Sequence, residues 1–408
     1  MRLKDIANIN PAYTGPDLGD QLVSFSPMEC LRYDSLKPIT ISFSEAKGKY
    51  TFFKDNDILF AKVTPCFENQ NIAIANNLVN GIGFGSSEIN VLRLKSDASL
   101  RYMFYVICSN RFYNTGCSSM CGVGGLKRIN PRAVSTFEFT MPSLVEQEAI
   151  AAYLDKECKK IGRKIELLER KADAYSRLRR SLINRAVTRG LDPNVSLKPS
   201  GNNWIGDIPQ HWGDERVEKY FHNNTSYNKD FQYKHAFKFF KGTIIHKDET
   251  FEEDEYQDTY EKYTIVEPND IIINGLNLNY DLKSMRVGKV TENGIITSAY
   301  IVLRPYNNVC SDFFNYLFKA FDYRKFFHGM GKGIRLTLSF NELRYFEIPI
   351  PPIDEQKKIA AYLDEKCAKI DAILEKINTE VERLKELKRS LINEVVTGQR
   401  AIETESRS

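Results

Sequence analysis

Apolar residues recur every three or four positions along residues 142–188, at Ile150, Leu154, Cys158, Ile161, Ile165, Leu168, Ala172, Tyr175, Leu178 and Leu182. That spacing predicts a helix, which Pro142, Ser143 and Glu146 suit as its start. Between Ile161 and Tyr175 the steps alternate four and three, the seam of a coiled coil, with Lys, Arg and Glu filling the other positions. A second seam runs through Ile370, Leu374, Ile377, Val381, Leu384, Leu387 and Leu391. Each stripe is too narrow for a globular core and suits one helical partner.

The two helices are copies of one another. EQEAIAAYLDKECKKI from Glu146 matches EQKKIAAYLDEKCAKI from Glu355, and the same offset of 209 leads from RSLINRAVT to RSLINEVVT, with 20 identities over residues 146–188 and 355–397. A more distant correspondence precedes each copy: YTFFKDNDILF from Tyr50 resembles YTIVEPNDIII from Tyr263, and Val-Leu-Arg recurs at Val91 and Val302. The chain therefore divides into a variable domain (1–141), a long helix (142–190), a linker (191–212), a second variable domain (213–350), and a second long helix with a tail (351–408). Each helix either packs on its own domain or pairs with the other helix. Pairing is the preferred expectation, through Ile161, Ile165, Leu168 and Tyr175 on the first and Ile370, Leu374, Ile377 and Leu384 on the second. About 40 helical residues span ~60 Å and form a spacer. An antiparallel pair would relate the halves by an approximate two-fold axis, and such a scaffold seats two copies of one partner.

The variable domains mix strand-like runs, such as ILFAKV at Ile58, EINVLRL at Glu88 and AYIVLRP at Ala299, with helical stretches from Arg101 and Asp312. That predicts α+β domains. Near the end of each lies a glycine-rich basic loop, Gly122-Val-Gly124-Gly-Leu-Lys127-Arg128 and Gly329-Met-Gly-Lys332-Gly333-Ile-Arg335. Glycine lets backbone approach a ligand, while Arg and Lys meet phosphates or the edge of guanine. Amide clusters recur too, at Asn69, Gln70 and Asn71 and at Asn274, Asn277 and Asn279, and amides pair with adenine. A plain turn is the competing reading of each loop; recurrence in both halves favours function. The acidic run FEEDEYQDTYE from Phe251 would repel a phosphate backbone and is expected to face away from it.

Composition narrows this less than pattern does. A net charge of +4 neither demands nor excludes nucleic acid. No stretch approaches the ~20 apolar residues of a membrane span, and MRLKDIANIN has no export-signal core, so a cytoplasmic location is expected. The eight cysteines lack C-x-x-C spacing and read as reduced thiols. Catalytic patterns fail on inspection. Asn10-Pro-Ala-Tyr13 resembles a methyltransferase Asn-Pro-Pro-aromatic motif, but Ala12 replaces proline and no glycine-rich cofactor loop precedes it. Gly81-Ile-Gly83-Phe-Gly85 lies between strands, Glu45-Ala-Lys47 after Asp34 is too loose for a nuclease, and no nucleotide phosphate loop is present. His211, His222, His235, His246 and His328 have no metal-ligand spacing, so neither a metal site nor a catalytic residue is expected.

These residues together resemble the specificity subunit of type I restriction-modification enzymes. The resemblance rests on Pro-x-x-x-Glu-Gln-x-x-Ile-Ala-x-Tyr-Leu-Asp from Pro142 and from Pro351, the SLIN segments at Ser181 and Ser390, and NWIGDIPQHW from Asn203. Thr64-Pro-Cys-Phe-Glu-Asn69 and Ser86-Ser-Glu88 add to it, whereas Gln70 departs from the lysine common there. It implies two pseudo-two-fold-related target-recognition domains separated by two long helices forming an antiparallel coiled coil, each domain reading half of a bipartite, asymmetric site in double-stranded DNA. It also implies two modification subunits, which bind S-adenosylmethionine and methylate adenine, and two restriction subunits using ATP and Mg2+; this chain itself would hold no cofactor. Asn69, Lys127 and Arg128 fall on motif positions. The competing reading is a coiled-coil interaction or scaffold protein without DNA recognition, which leaves the repeated glycine-basic loops unexplained.

Overall fold

The computed structural model describes residues 1–95, 98–122, 125–202, 204–240, 242–247, 257–280, 285–306 and 308–402. It divides into two compact units: Met1–Glu169 with Asn378–Ser408, and Arg170–Ile377. In unit 1, strands Ala7–Ile9, Ile89–Leu94, Ile58–Ala61 and Ile72–Ile74 lie side by side in that order, all pairings antiparallel. In unit 2, Phe221–Asn223, Ile301–Pro305, Ile271–Ile273 and Val287–Lys289 repeat that order and pairing. The strands in YTFFKDNDILF and YTIVEPNDIII therefore hold equivalent places. Ile58–Ala61 and Ile271–Ile273 are buried throughout, as central strands covered on both faces must be. Helices Leu100–Cys108 and Ser311–Tyr323 bury nearly every side chain against their respective sheets, making each unit α+β.

The repeated Asn-Asp and Val-Leu-Arg segments meet in space. Arg93 grips Asp57 at 2.9 and 2.7 Å, and Arg304 grips Asp270 at 2.9 and 2.8 Å. Each aspartate also accepts the backbone N–H of the residue three before it, closing the turn into its strand.

The repeated helix motif docks each long helix on its own domain. Gln147, at the start of helix Leu144–Arg189, accepts the N–H of Ser99, the residue capping the domain helix, at 2.9 Å and donates to the Pro142 carbonyl at 2.8 Å. Gln356, in helix Ile353–Val396, does the same with Cys310 at 3.1 Å and Pro351 at 2.9 Å. Two turns further on, Tyr105 donates to Asp155 at 2.6 Å and Tyr316 to Asp364 at 2.7 Å, beside fully buried Leu154 and Leu363. Domain packing, the competing expectation, thus holds for the N-terminal part of each helix, which belongs to its own domain's core alongside the pairing expected of the two helices. We expect Gln356→Leu to cost unit 2 about 1–3 kcal/mol, because it strands a buried N–H and a carbonyl. Urea denaturation followed by tryptophan fluorescence measures this, since Trp204 and Trp212 both lie in unit 2; a midpoint equal to the parent's would refute it.

Pairing of the helices is found as well, and it is antiparallel in each unit. In unit 1, Leu154 and Cys158 share a core with Leu391, Ile392 and Val395, while further along Lys164 bonds Glu380 at 3.0 Å. In unit 2, Ile183, Ala186 and Val187 share a core with Ile359, Ala360 and Leu363, while Arg179 bonds Asp371 at 3.0 Å. The SLIN segments thus complete the core of the domain their helix does not follow. Of the expected seam, Ile370, Ile377, Val381 and Leu384 are buried, and Ile161, Ile165, Leu168, Tyr175 and Leu374 are half-buried. Leu178 and Leu387, however, are 46% and 51% exposed. After Tyr175 and Leu384 the inward face advances by four residues instead of three, to Arg179 and Lys388 and then to Ile183 and Ile392. A four-residue step restores the straight-helix period where the seam gives way to domain packing. Arg179 bonds the Tyr323 hydroxyl at 3.0 Å, and the Lys388 ammonium stacks 3.8 Å from the Tyr33 ring centre.

The stretch 191–212, expected as a linker, is built into unit 2. Strands Leu197–Pro199 and Asp207–Pro209 form a hairpin, and Ile205, Ile208 and Trp212 enter the core. Glu355 receives the Trp212 indole N–H at 3.1 Å and contacts His211 at 2.8 Å, tying the NWIGDIPQHW segment to the second long helix. The first residue of that segment, Asn203, lies outside the described residues.

Arg179, Arg180, Asp371, Asp322, Tyr323 and Lys319 line a cavity of about 280 Å³ in unit 2. Burial, with Arg179 nearby, pushes the Lys319 ammonium down to about 8 from its usual 10.5. Folding therefore opposes this proton: the penalty is full below pH 8 and vanishes as pH rises towards 10.5. Lys319→Met is expected to stabilise unit 2 by about 1–2 kcal/mol at pH 7. The difference in denaturation midpoint between variant and parent should shrink between pH 8 and 10.5; a gain constant across that window would contradict the assignment.

Candidate nucleic-acid interface

Three separate sequence pieces of unit 1 converge beyond the end of strand Ile58–Ala61. Thr64 donates its N–H to the Lys127 carbonyl at 3.0 Å, and its hydroxyl accepts the Lys127 N–H at 3.0 Å while donating to Gly125 at 2.9 Å. Val63 and Cys121 both bridge to Arg128 as isolated antiparallel pairs. Arg128 then reaches Glu88 with both arms of its guanidinium, each bond 2.9 Å. The Thr64 turn, the Ser86-Ser-Glu88 segment and the glycine-basic loop are therefore one surface. Gly124, nominated from sequence, lies outside the described residues, as does Val123.

This surface presents Lys127 and Asn69 to solvent and leaves Arg128 about half exposed. Arg128 holds the Glu88 carboxyl below the usual range, chiefly through the side-chain hydrogen bond. A planar fork already aligned by a carboxylate is pre-positioned, and the same fork matches phosphate or the O6/N7 edge of guanine. The amide cluster, by contrast, does not act as a unit. Gln70 donates to the Cys108 carbonyl at 3.2 Å and lines a cleft with Asn110, Asn114 and Arg389. Asn71 is buried at 6% exposure, so only Asn69 is free to meet a ligand from that triplet.

Unit 2 builds the same junction from different residues. Leu338 donates to the Gly275 carbonyl at 2.9 Å and Leu278 to the Leu336 carbonyl at 3.0 Å, so the turn after strand Ile271–Ile273 lies against the loop 331–338. A side chain at Gly275 would place its Cβ 2.3 Å from the Leu338 carbonyl oxygen, which is why glycine stands there. Asn274 accepts the Leu276 N–H at 3.1 Å and shapes the turn, Asn277 is exposed with a left-handed φ of 49°, and exposed Asn279 donates to the Ile334 carbonyl at 3.2 Å. Lys332 projects into solvent with its ammonium 3.3 Å from Glu342, Gly333 turns the loop at φ 78°, and Arg335 is exposed.

Sequence reasoning missed the residue that holds this turn. Buried Arg286 donates to the carbonyls of Asn274, Leu276 and Asn277 at 3.0, 2.6 and 3.1 Å. Nothing in the Ser-Met-Arg-Val stretch distinguishes it from a surface arginine. The decoy motifs acquire packing roles. Asn10 bonds Asn90 and accepts the Val91 N–H at the sheet edge, and Tyr13 packs edge-on against Phe43 and Phe52. Gly83 lies under the Phe53 ring, where a Cβ would come within 2.4 Å. Residues 251–256 of the acidic run lie outside the described residues. Among the described residues, no helix is long and apolar enough to cross a membrane.

The family described as type I restriction modification DNA specificity domain matches residues 1–171 and 210–383. The specificity subunit of the Escherichia coli type I restriction enzyme EcoEI is 36% identical over 160 residues, covering 38% of this chain and 27% of that relative. The EcoAI specificity subunit of the same organism is 38% identical over 152 residues, covering 36% and 26%. The matched region thus spans about a quarter of either relative's length. A chain from a structure of complex assembly and conformational transition in the type I R-M system superposes with a TM-score of 0.73 at 15% identity, covering 98% of this chain and 97% of that one. The HsdS subunit from Thermoanaerobacter tengcongensis gives 0.50 at 15% identity, covering 98% and 96%. At such identity these two speak for the fold, and the family match speaks for descent. With its two matched segments falling on two domains of repeated design, the chain belongs to the type I restriction modification DNA specificity domain family.

Proposed function

We propose that this chain is a non-catalytic subunit that reads a bipartite, asymmetric DNA sequence and directs modification and restriction subunits to it. One observation carries the reading beyond family membership. The same junction, an amide-bearing turn against a glycine-basic loop, stands after the equivalent strand in both units, yet its exposed side chains differ: Asn69, Lys127 and Arg128 in one, Asn277, Lys332 and Arg335 in the other. A constant frame carrying two different polar surfaces suits a reader of two different half-sites. Two modification subunits binding S-adenosylmethionine and two restriction subunits using ATP and Mg2+ are the proposed partners, in the cytoplasm. The half-buried and buried seam from Ile161 to Tyr175 and from Ile370 to Leu384 is assigned to helix pairing, which leaves the outer faces for those partners.

The test is single-molecule methylation mapping of DNA from cells expressing this chain with its cognate modification subunit, against cells expressing that subunit alone. A new two-part adenine-methylated motif appearing only with this chain supports the proposal. With both proteins soluble and folded, the absence of such a motif refutes it and favours an interaction protein.

A further inference from the structure

Among the described residues, Ile334 is the most exposed of the large apolar side chains, at 98%, and its backbone is held firmly. Lys332 and Thr337 exchange both backbone hydrogen bonds, at 3.1 and 2.9 Å, closing a small hairpin. Leu336 donates to Gly333 at 3.1 Å across its tip, and Asn279 donates its side-chain amide to the Ile334 carbonyl at 3.2 Å. The loop thus fixes the Ile334 backbone while giving its side chain nothing to pack against. A β-branched side chain has few rotamers to lose, so covering it from outside costs little entropy.

Its neighbours say what would cover it. Lys332 and Arg335 flank it, and exposed Asn277 and Asn279 stand on the adjoining turn. Amides beside one apolar tip match the major-groove edge of an A·T pair, where adenine offers a donor and an acceptor and thymine a methyl group, while the flanking cations suit the neighbouring phosphates. A phosphate or a guanine edge gives an isoleucine nothing to bury. We infer that Ile334 packs against the 5-methyl group of a thymine in the half-site read by unit 2, making it a specificity-determining residue. This rests on the proposed DNA-reading function.

The experiment uses the full chain assembled with its modification subunit and duplexes in which each thymine of the mapped half-site is replaced in turn by deoxyuridine. One replacement should reduce binding by the parent protein by about four-fold, the worth of one buried methyl. Ile334→Ser should bind thymine and deoxyuridine equally there, and Ile334→Leu should keep the preference. A thymine preference that persists in Ile334→Ser, or a half-site without thymine, overturns the inference while DNA reading stands. Brightening of 2-aminopurine beside the site with the parent but not with Ile334→Ser overturns it in favour of an intercalating wedge. Failure of the proposed function itself is distinguishable, because the parent would then show no sequence preference at all.

Discussion

Replacing Arg93 or Arg304 by leucine is expected to cost about 3–5 kcal/mol, enough to unfold a marginal domain. The reason lies in what remains. The Asp57 and Asp270 side chains are each 1% exposed, and each keeps a single backbone N–H once its arginine is gone. A carboxylate so placed has lost both strong hydrogen bonds and cannot regain water, so it must be neutralised or dragged to the surface with the strand that carries it. The arginines are about one-fifth exposed, so the reverse change, Asp57→Asn or Asp270→Asn, strands a charge that can still reach solvent and should cost less. Tryptophan fluorescence during urea denaturation reads Arg304→Leu, because Trp204 and Trp212 both belong to unit 2. Hydrogen exchange at strand Ile58–Ala61 reads Arg93→Leu. A loss under about 1 kcal/mol in either would place these pairs with ordinary surface salt bridges.

The two Asp–Arg pairs are half legible in the sequence. The recurrence of Asn-Asp and of Val-Leu-Arg is visible by inspection, but only the register of strands Ile58–Ala61 and Ile89–Leu94 brings Asp57 to Arg93. The Glu-Gln dipeptide is similar: the repeat announces that it matters, and the fold discloses why, since Gln147 and Gln356 bond N–H groups many residues away. Local periodicity identified the helices well, because an apolar stripe is a property of the segment itself. It misjudged Leu178 and Leu387, because the choice between a three- and a four-residue step belongs to whatever the helix packs on. The candidate interface divides along the same line. Lys127, Arg128 and Arg335 were recognisable as exposed cations in glycine-rich loops, whereas Gln70's clamp on Cys108 and Arg286's grip on three carbonyls depend on distant chain segments.

Arg128→Ala is expected to weaken binding at one half-site by about 10- to 100-fold, the range of a lost bidentate contact, and to leave the other half-site untouched. Two effects add. The fork that would meet DNA is removed, and Glu88, which Arg128 neutralises and holds ionised, is left as a bare carboxylate on the same surface. Glu88→Ala in the Arg128→Ala background should therefore recover part of the loss, and the double-mutant cycle separates repulsion from lost contact. Salt dependence then assigns the contact. If Arg128 meets a phosphate, the slope of log affinity against log salt falls by about one and base preference is unchanged. If it meets a guanine, the slope holds and preference relaxes at one position. Duplexes altered in one half-site at a time, assayed for methylation by the assembled complex, measure all of this. Equal loss at both half-sites would mean that Arg128 supports the fold of the chain and reads no DNA, because a residue of one junction has no direct means of weakening the other.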